Sequence, residues 1–276
     1  MKFVNDVISS RNNPTVKWAA TLSEKKGQRV EGAFIAEGEK LTLEALKADL
    51  PITHIFVIES RKDRIFSLIE PFKENITYGN CQVFVLSDGA FSKISTEKAP
   101  QGVISVIKYL DFFRNLDIIY KEDFFILKGE RALLLYSLRD PGNLGAVIRS
   151  AVAFGVDHII LSADSADIYN PKTVRAAMGS LFKVKVTMVS DVGSFIEAAR
   201  QCGKRVFAAE LSENAVSVKD INLNDDDIFM IGNEGHGIPR EISAMCTGSV
   251  YIPISDKTES LNASVAAAVF MWEQNK

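Results

Sequence analysis

Six short apolar, strand-like runs alternate with helix-like stretches through the second half of this chain, at about 132–136, 157–161, 183–187, 205–209, 228–232 and 250–254. Parallel strands need a crossover connection, and the crossover helix covers the sheet. Such alternation therefore predicts an α/β fold with a mainly parallel sheet and helices on both faces. In sheets of that class ligands bind beyond the carboxyl ends of the strands. The loops leaving those ends are where chemistry should be sought.

Three such loops stand out: Asp140-Pro141-Gly142-Asn143-Leu144-Gly145, Gly232-Asn233-Glu234-Gly235-His236-Gly237 and Ser260-Leu261-Asn262-Ala263-Ser264. The first continues into the apolar stretch 146–155, whose only charge is Arg149. A lone charge in apolar surroundings calls for an anionic partner. The exit of the first strand, Ser137-Leu138-Arg139-Asp140-Pro141-Gly142-Asn143, has no G-x-G-x-x-G pattern, which argues against a Rossmann methyltransferase or an NAD site.

In this order the three segments resemble the three signature motifs of the SpoU/TrmH family of RNA ribose 2'-O-methyltransferases, within the SPOUT class. The stretch Asn170-Pro171-Lys172-Thr173-Val174-Arg175-Ala176-Ala177-Met178-Gly179-Ser180-Leu181-Phe182 is similar to that family's segment between motifs one and two, so the resemblance spans about residues 130 to 272. Shorter segments, Ile8-Ser9-Ser10-Arg11-Asn12-Asn13-Pro14, Phe34-Ile35-Ala36-Glu37-Gly38 and Pro100-Gln101-Gly102-Val103, resemble its amino-terminal substrate-binding domain.

The resemblance implies S-adenosylmethionine as cofactor and structured RNA as substrate, ribosomal RNA ahead of transfer RNA. It implies a deep trefoil knot in the carboxy-terminal domain and a homodimer through that domain. Periodicity shows neither, and general rules alone predict an unknotted sheet. The catalytic residues it implies are Asn143, Arg149, Glu234, Ser260 and Asn262. A guanidinium does not normally deprotonate, so Arg149 is read as binding phosphate and stabilising the developing alkoxide rather than as the base. Glu234 is read as orienting Arg149 or Asn262, on a loop whose three glycines permit close approach and positive φ; its alternative is a cap for a helix beginning near Pro239. Ser260 and Asn262 are also positioned to cap the following helix. His236 is read as a loop residue. Adenosine contacts are implied at Ala209, Gly232, Ile252 and Leu261.

The formal net charge of −3 argues against a protein that coats nucleic acid indiscriminately. One local segment differs. Between Ser9 and Val30 lie Arg11, Lys17, Lys25, Lys26 and Arg29 against the single acid Glu24, with Trp18 among them. With Lys172 and Arg175 these form the candidate RNA-binding set, the alternative for each being a solvated helix face. Asn13 and Pro14 read as N-cap and first helical residue of a helix to about Lys26, stopped at Gly27. Further strands are expected at 33–36, 52–58, 81–86 and 102–109, and helices at 39–48, 61–72 and 88–94.

A length of 276 residues suits two domains, expected as a small α/β sandwich RNA-binding domain over 1–108, a connection over 109–130 and the methyltransferase domain over 131–276. No apolar run reaches the roughly 20 residues of a membrane span, and the beginning of the sequence lacks a secretory signal, so a cytoplasmic protein is expected. Cys81, Cys202 and Cys246 include no C-x-x-C pair; no zinc or other metal site is indicated, and all three are expected to be buried thiols. The helical run Val265–Trp272 is too short to cross a membrane and suits a buried dimer face. Functions of other classes are a catalytically silent RNA-binding assembly factor, which the intact motif set disfavours, and a small-molecule enzyme on a doubly wound sheet.

Overall fold

The computed structural model describes residues 1–73, 81–111, 113–116, 130–233 and 235–276. Glu234 and most of the expected connection lie outside the described residues. The chain divides into two compact units, Met1–Leu110 with Ile168–Phe182, and Asp111–Asp167 with Lys183–Lys276. The segment 168–182, read from sequence as part of the carboxy-terminal domain, is thus grouped with the first unit.

The first unit is built from β1 (Lys2–Ile8), α1 (Pro14–Thr21), α2 (Lys25–Glu31), β2 (Ala33–Glu37), α3 (Glu39–Lys47), β3 (Ile52–Ile58), α4 (Lys62–Ile69), β4 (Gln82–Leu86), α5 (Asp88–Ile94) and β5 (Val103–Lys108). Its sheet runs β1-β4-β3-β5-β2, parallel from β1 through β3 and antiparallel on either side of β5. The expected strands and helices are present, with two differences. β1 was not foreseen, because Asn5 and Asp6 interrupt its apolar pattern; it is an edge strand with a register shift between Val4 and Val7, where polar residues are tolerated.

The second difference is that the helix begun at Asn13 ends at Thr21 rather than at Gly27. Gly27 lies inside α2, and a Cβ there would stand 2.1 Å from the Thr21 carbonyl oxygen. Its missing side chain lets two short helices meet. The left-handed stop is Gly32, at φ 55°.

The segment 168–182 carries its own anchor within this unit. Tyr169 stacks on Tyr109 at 4.3 Å between ring centroids, its hydroxyl accepts from the Leu110 N–H at 2.9 Å and its carbonyl accepts from Gln28 Nε2 at 3.0 Å. Asn170 then caps the next helix by accepting from the Lys172 N–H at 2.9 Å. That helix is α7 (Pro171–Ala177).

The second unit comprises β6 (Phe113–Leu116), β7 (Ala132–Leu135), α6 (Pro141–Ala153), β8 (His158–Ser162), β9 (Lys185–Val189), α8 (Val192–Gln201), β10 (Val206–Ala209), β11 (Val216–Ser217), β12 (Ile228–Ile231), α9 (Arg240–Ser243), β13 (Gly248–Tyr251) and α10 (Ala263–Gln274). The strand order is β11-β13-β10-β12-β7-β8-β9-β6, and every described pairing is parallel. β7, β8 and β12 are buried along their whole length, as strands covered on both faces must be. From β7 the chain builds outward through β8 to β9, and later returns to place β12 against the other side of β7. The loops leaving β7 and β12 therefore meet at a reversal of strand order, the place where such sheets bind ligands.

One expectation about a single residue changes. Cys81 and Cys246 are buried, but Cys202 is exposed where α8 ends. On α10, Val265 and Trp272 are 48% and 53% exposed, while Ala267, Phe270 and Met271 are buried. Among the described residues no helix is long and apolar enough to cross a membrane.

Candidate active site

The start of α6 is fixed by its own sequence. Asp140 caps it, accepting from the Asn143 N–H at 2.8 Å, and Pro141 supplies a preset φ in the first turn. Leu144, Val147, Ile148 and Ala151 face the interior. Arg149 lies on the other side, exposed, with no hydrogen bond or ion pair to any described residue. The desolvation argument for an anionic partner therefore does not apply. The guanidinium is solvated.

The loop entering α6 is tied down at Ser137, which adopts the left-handed region at φ 53°. Its N–H donates to Ser162 Oγ at 2.7 Å, its hydroxyl donates to Asp164 Oδ2 at 2.5 Å, and its carbonyl accepts from Asn233 Nδ2 at 2.8 Å. All three polar groups are bound. Partial burial works to raise the Asp164 carboxyl, but hydrogen bonds from Ser137, Ser162 and Arg139 outweigh it and hold the group below the usual carboxylate range.

Asn233 shapes the second loop as well as holding it to the first. Its Oδ1 accepts from the N–H groups of Gly235 at 2.8 Å and His236 at 3.3 Å, an Asx turn. Gly232 is required by close approach, since a Cβ would stand 2.7 Å from the Gly237 carbonyl carbon; Gly237 is required by its φ of 63°. Gly235 meets neither condition, so two of the three glycines carry the expected role. Glu234, expected to orient Arg149 or Asn262, lies outside the described residues. His236 is exposed on the loop, and among the described residues no side chain caps the start of α9.

The third loop ends in α10, capped by Asn262. Its Oδ1 accepts from the Ser264 N–H at 2.9 Å and from Ser264 Oγ at 2.6 Å, while its Nδ2 donates to Asn143 Oδ1 at 3.1 Å. Capping and tertiary contact are both present in one side chain.

The second and third loops and the ends of β10, β12 and β13 line a cavity of about 350 Å3. Ala209, Gly232, Ile252 and Leu261, the four residues expected to hold adenosine, all line it, as does Ser260. Asn143, Arg149 and Asn262 are not among its walls. Sequence reasoning missed Glu210, Tyr251 and Phe270 in the lining and Asn233 as the tie between loops. Asn233 had a readable signal, an Asn two residues before a Gly at a turn. Glu210 had only its adjacency to Ala209.

In the first unit a groove of about 870 Å3 is lined by Arg11, Lys17, Lys26 and Trp18, with Lys93 added to the expected set. Trp18 is half-buried, its ring 4.6 Å from that of His54. Burial, and to a lesser degree Lys108, lowers the His54 pKa and favours the neutral ring. Lys25 and Arg29 are exposed on α2 outside the groove lining. Lys172 is exposed, whereas Arg175 is paired with Glu97 and so already engaged.

Residues 130–272 match the model of the SpoU rRNA Methylase family, and residues 13–105 that of the MRM3-like substrate binding domain. The 23S rRNA (guanosine(2553)-2'-O)-methyltransferase RlmP of Bacillus subtilis is 30% identical over 265 residues, covering 96% of this chain and 97% of its own. A 23S rRNA (uridine(2479)-2'-O)-methyltransferase from Streptomyces viridochromogenes is 28% identical, covering 96% of this chain and 90% of its own. Among solved structures, the AdoMet-bound rRNA methyltransferase from Sinorhizobium meliloti superposes with a TM-score of 0.79 at 27% identity, covering 98% of this chain and 97% of its own.

Proposed function

The chain belongs to the SpoU rRNA Methylase family, and from that premise we propose that it transfers a methyl group from S-adenosylmethionine to a ribose 2'-hydroxyl of structured RNA, ribosomal RNA ahead of transfer RNA. The observation that carries this reading is the cavity over the carboxyl ends of β10, β12 and β13, walled by the second and third loops and tied to the first through Asn233 and Asn262. Its residues suit the cofactor. Ile231, Ile252, Leu261 and Phe270 offer apolar walls for a purine, and Gly232 adds backbone without a side chain to the same lining.

When bound, S-adenosylmethionine would supply an electrophilic methyl group for the ribose oxygen, the carbon–sulfur electron pair staying on sulfur and the hydroxyl proton passing to solvent water. Arg149 then does two things a guanidinium does well, gripping an RNA phosphate and stabilising negative charge on the reacting oxygen. Asn143 and Asn262 hold one another and so fix the start of α6 relative to the cofactor loop. Ser260 presents a hydroxyl at the cavity wall, and Glu234 completes the set.

Arg11, Lys17, Lys25, Lys26 and Arg29 bind RNA phosphates in the first unit, with Trp18 offering a ring at the groove; Lys172 assists. Arg175 first has to leave Glu97. The half-exposed Val265 and Trp272 of α10 suit a homodimer contact, in the knotted arrangement of the SPOUT class, and the work belongs in the cytoplasm. Transfer of tritiated methyl to total RNA, followed by mapping of the methylated position, tests the reading. Failure to label any RNA would overturn it.

A further inference from the structure

Glu210 and Glu259 are the only charged side chains among the described residues lining the cavity, which has no lysine, arginine or histidine in its walls. The Glu210 carboxylate is half-buried and accepts from Ser249 Oγ at 2.7 Å, which holds it against the wall where β10 and β13 end. Glu259 stands exposed on the loop before α10. Apart from these two, the lining is apolar or neutral. A cleft lined by one sign of charge between low-dielectric walls concentrates its field on whatever enters.

The methyl donor and its spent product differ in charge. At neutral pH S-adenosylmethionine carries a sulfonium, an ammonium and a carboxylate, a net single positive charge, whereas S-adenosylhomocysteine has a thioether in place of the sulfonium and is net neutral. The two otherwise differ by one methyl group. We propose that Glu210 and Glu259 are specificity-determining residues that make the cavity prefer the cationic donor over the neutral product, so that transfer itself weakens the grip on what must leave. This rests on the cofactor reading of the same cavity.

The test is calorimetric. Affinities for S-adenosylmethionine and S-adenosylhomocysteine are measured with the full chain, with Glu210→Gln, with Glu259→Gln and with the double variant. Glutamine keeps the shape of the side chain and an acceptor for Ser249. Each substitution should weaken the donor by roughly three- to tenfold, as expected for losing one nearby charge in a partly solvated site, and leave the product within about twofold. Raising salt from about 0.05 M to about 0.5 M should likewise narrow the preference of the unmodified protein, because salt screens the attraction of the two carboxylates for the donor's net charge. An unchanged ratio of the two affinities in the double variant overturns the proposal. Should the double variant fail to fold, a salt-independent ratio in the unmodified protein does so. If the unmodified protein binds neither ligand, the cofactor reading itself has failed.

Discussion

The side-chain amide of Asn262 donates to Asn143 Oδ1 at 3.1 Å, across 119 positions of sequence, while the same side chain caps α10. One residue thereby joins the helix that carries Arg149 to the loop that walls the cavity. Its two functions can be separated. Asn262→Asp keeps the acceptor that caps the helix but loses the donor to Asn143; thermal stability should change little and methyl transfer should fall at least tenfold. Asn262→Ala removes both, costing about 1 kcal/mol for the lost cap in addition. Thermal melts run beside turnover assays check this, and full activity in the Asp variant would reduce Asn262 to a cap.

Arg149→Ala should leave stability within about 0.5 kcal/mol, as for an exposed side chain. It should leave S-adenosylmethionine affinity within a few fold and reduce transfer by roughly 100-fold or more. Arg149→Lys should also fail substantially, because an ammonium cannot reproduce the planar fork. Near-normal turnover in either variant removes Arg149 from the chemistry.

Gly232→Ala should abolish cofactor binding and destabilise by about 1–3 kcal/mol, the usual penalty for forcing atoms into a packed site. The added Cβ would sit 2.7 Å from the Gly237 carbonyl carbon. Gly235→Ala, whose nearest neighbour to a new Cβ is 3.4 Å away, is the control and should bind normally.

Reversing Lys25, Lys26 and Arg29 to Glu should weaken RNA binding and flatten its dependence on salt by up to about 0.9 logarithmic unit per lost phosphate contact. Cofactor affinity should not move. An unaltered salt slope would mean that α2 is only a solvated helix and that RNA runs elsewhere.

Thiol chemistry tests the packing of each unit, through Cys81 in the first and Cys246 in the second. Burial pushes Cys81 up to about 11; burial, with Glu210 adding to it, pushes Cys246 up to about 12, so neither presents a thiolate at pH 8. Iodoacetamide should therefore alkylate Cys202 alone in the native protein. Rapid double or triple modification by mass spectrometry would contradict the core described above.

Much of this was readable from sequence where a residue acts through its neighbours in the chain. The caps Asn13 and Asn262 and the parallel sheet fell where the sequence put them, and Ala209, Gly232, Ile252 and Leu261 lie together around one cavity. What escaped depends on contacts between distant segments. Gly27 reads as a helix stop but serves the approach of α2 to Thr21. Arg149 reads as a charge among apolar residues but lies on the wet side of its helix, a matter of which face α6 buries. The left-handed turn at Ser137 is held by Ser162, Asp164 and Asn233, none of them near it in sequence. Cys202 looked like core by residue type alone, and its position at the end of α8 puts it in water.

The central claim is methyl transfer to a ribose oxygen of RNA. The purified protein should be incubated with S-adenosylmethionine and unmodified 23S ribosomal RNA transcript, and the product mapped by resistance of the phosphodiester bond to alkali. One position should become resistant, because a 2'-O-methyl group removes the nucleophile that alkaline cleavage requires, and the signal should vanish with Arg149→Ala. A methyl group found on a base, or a resistant position that persists in the Arg149 variant, would contradict the account.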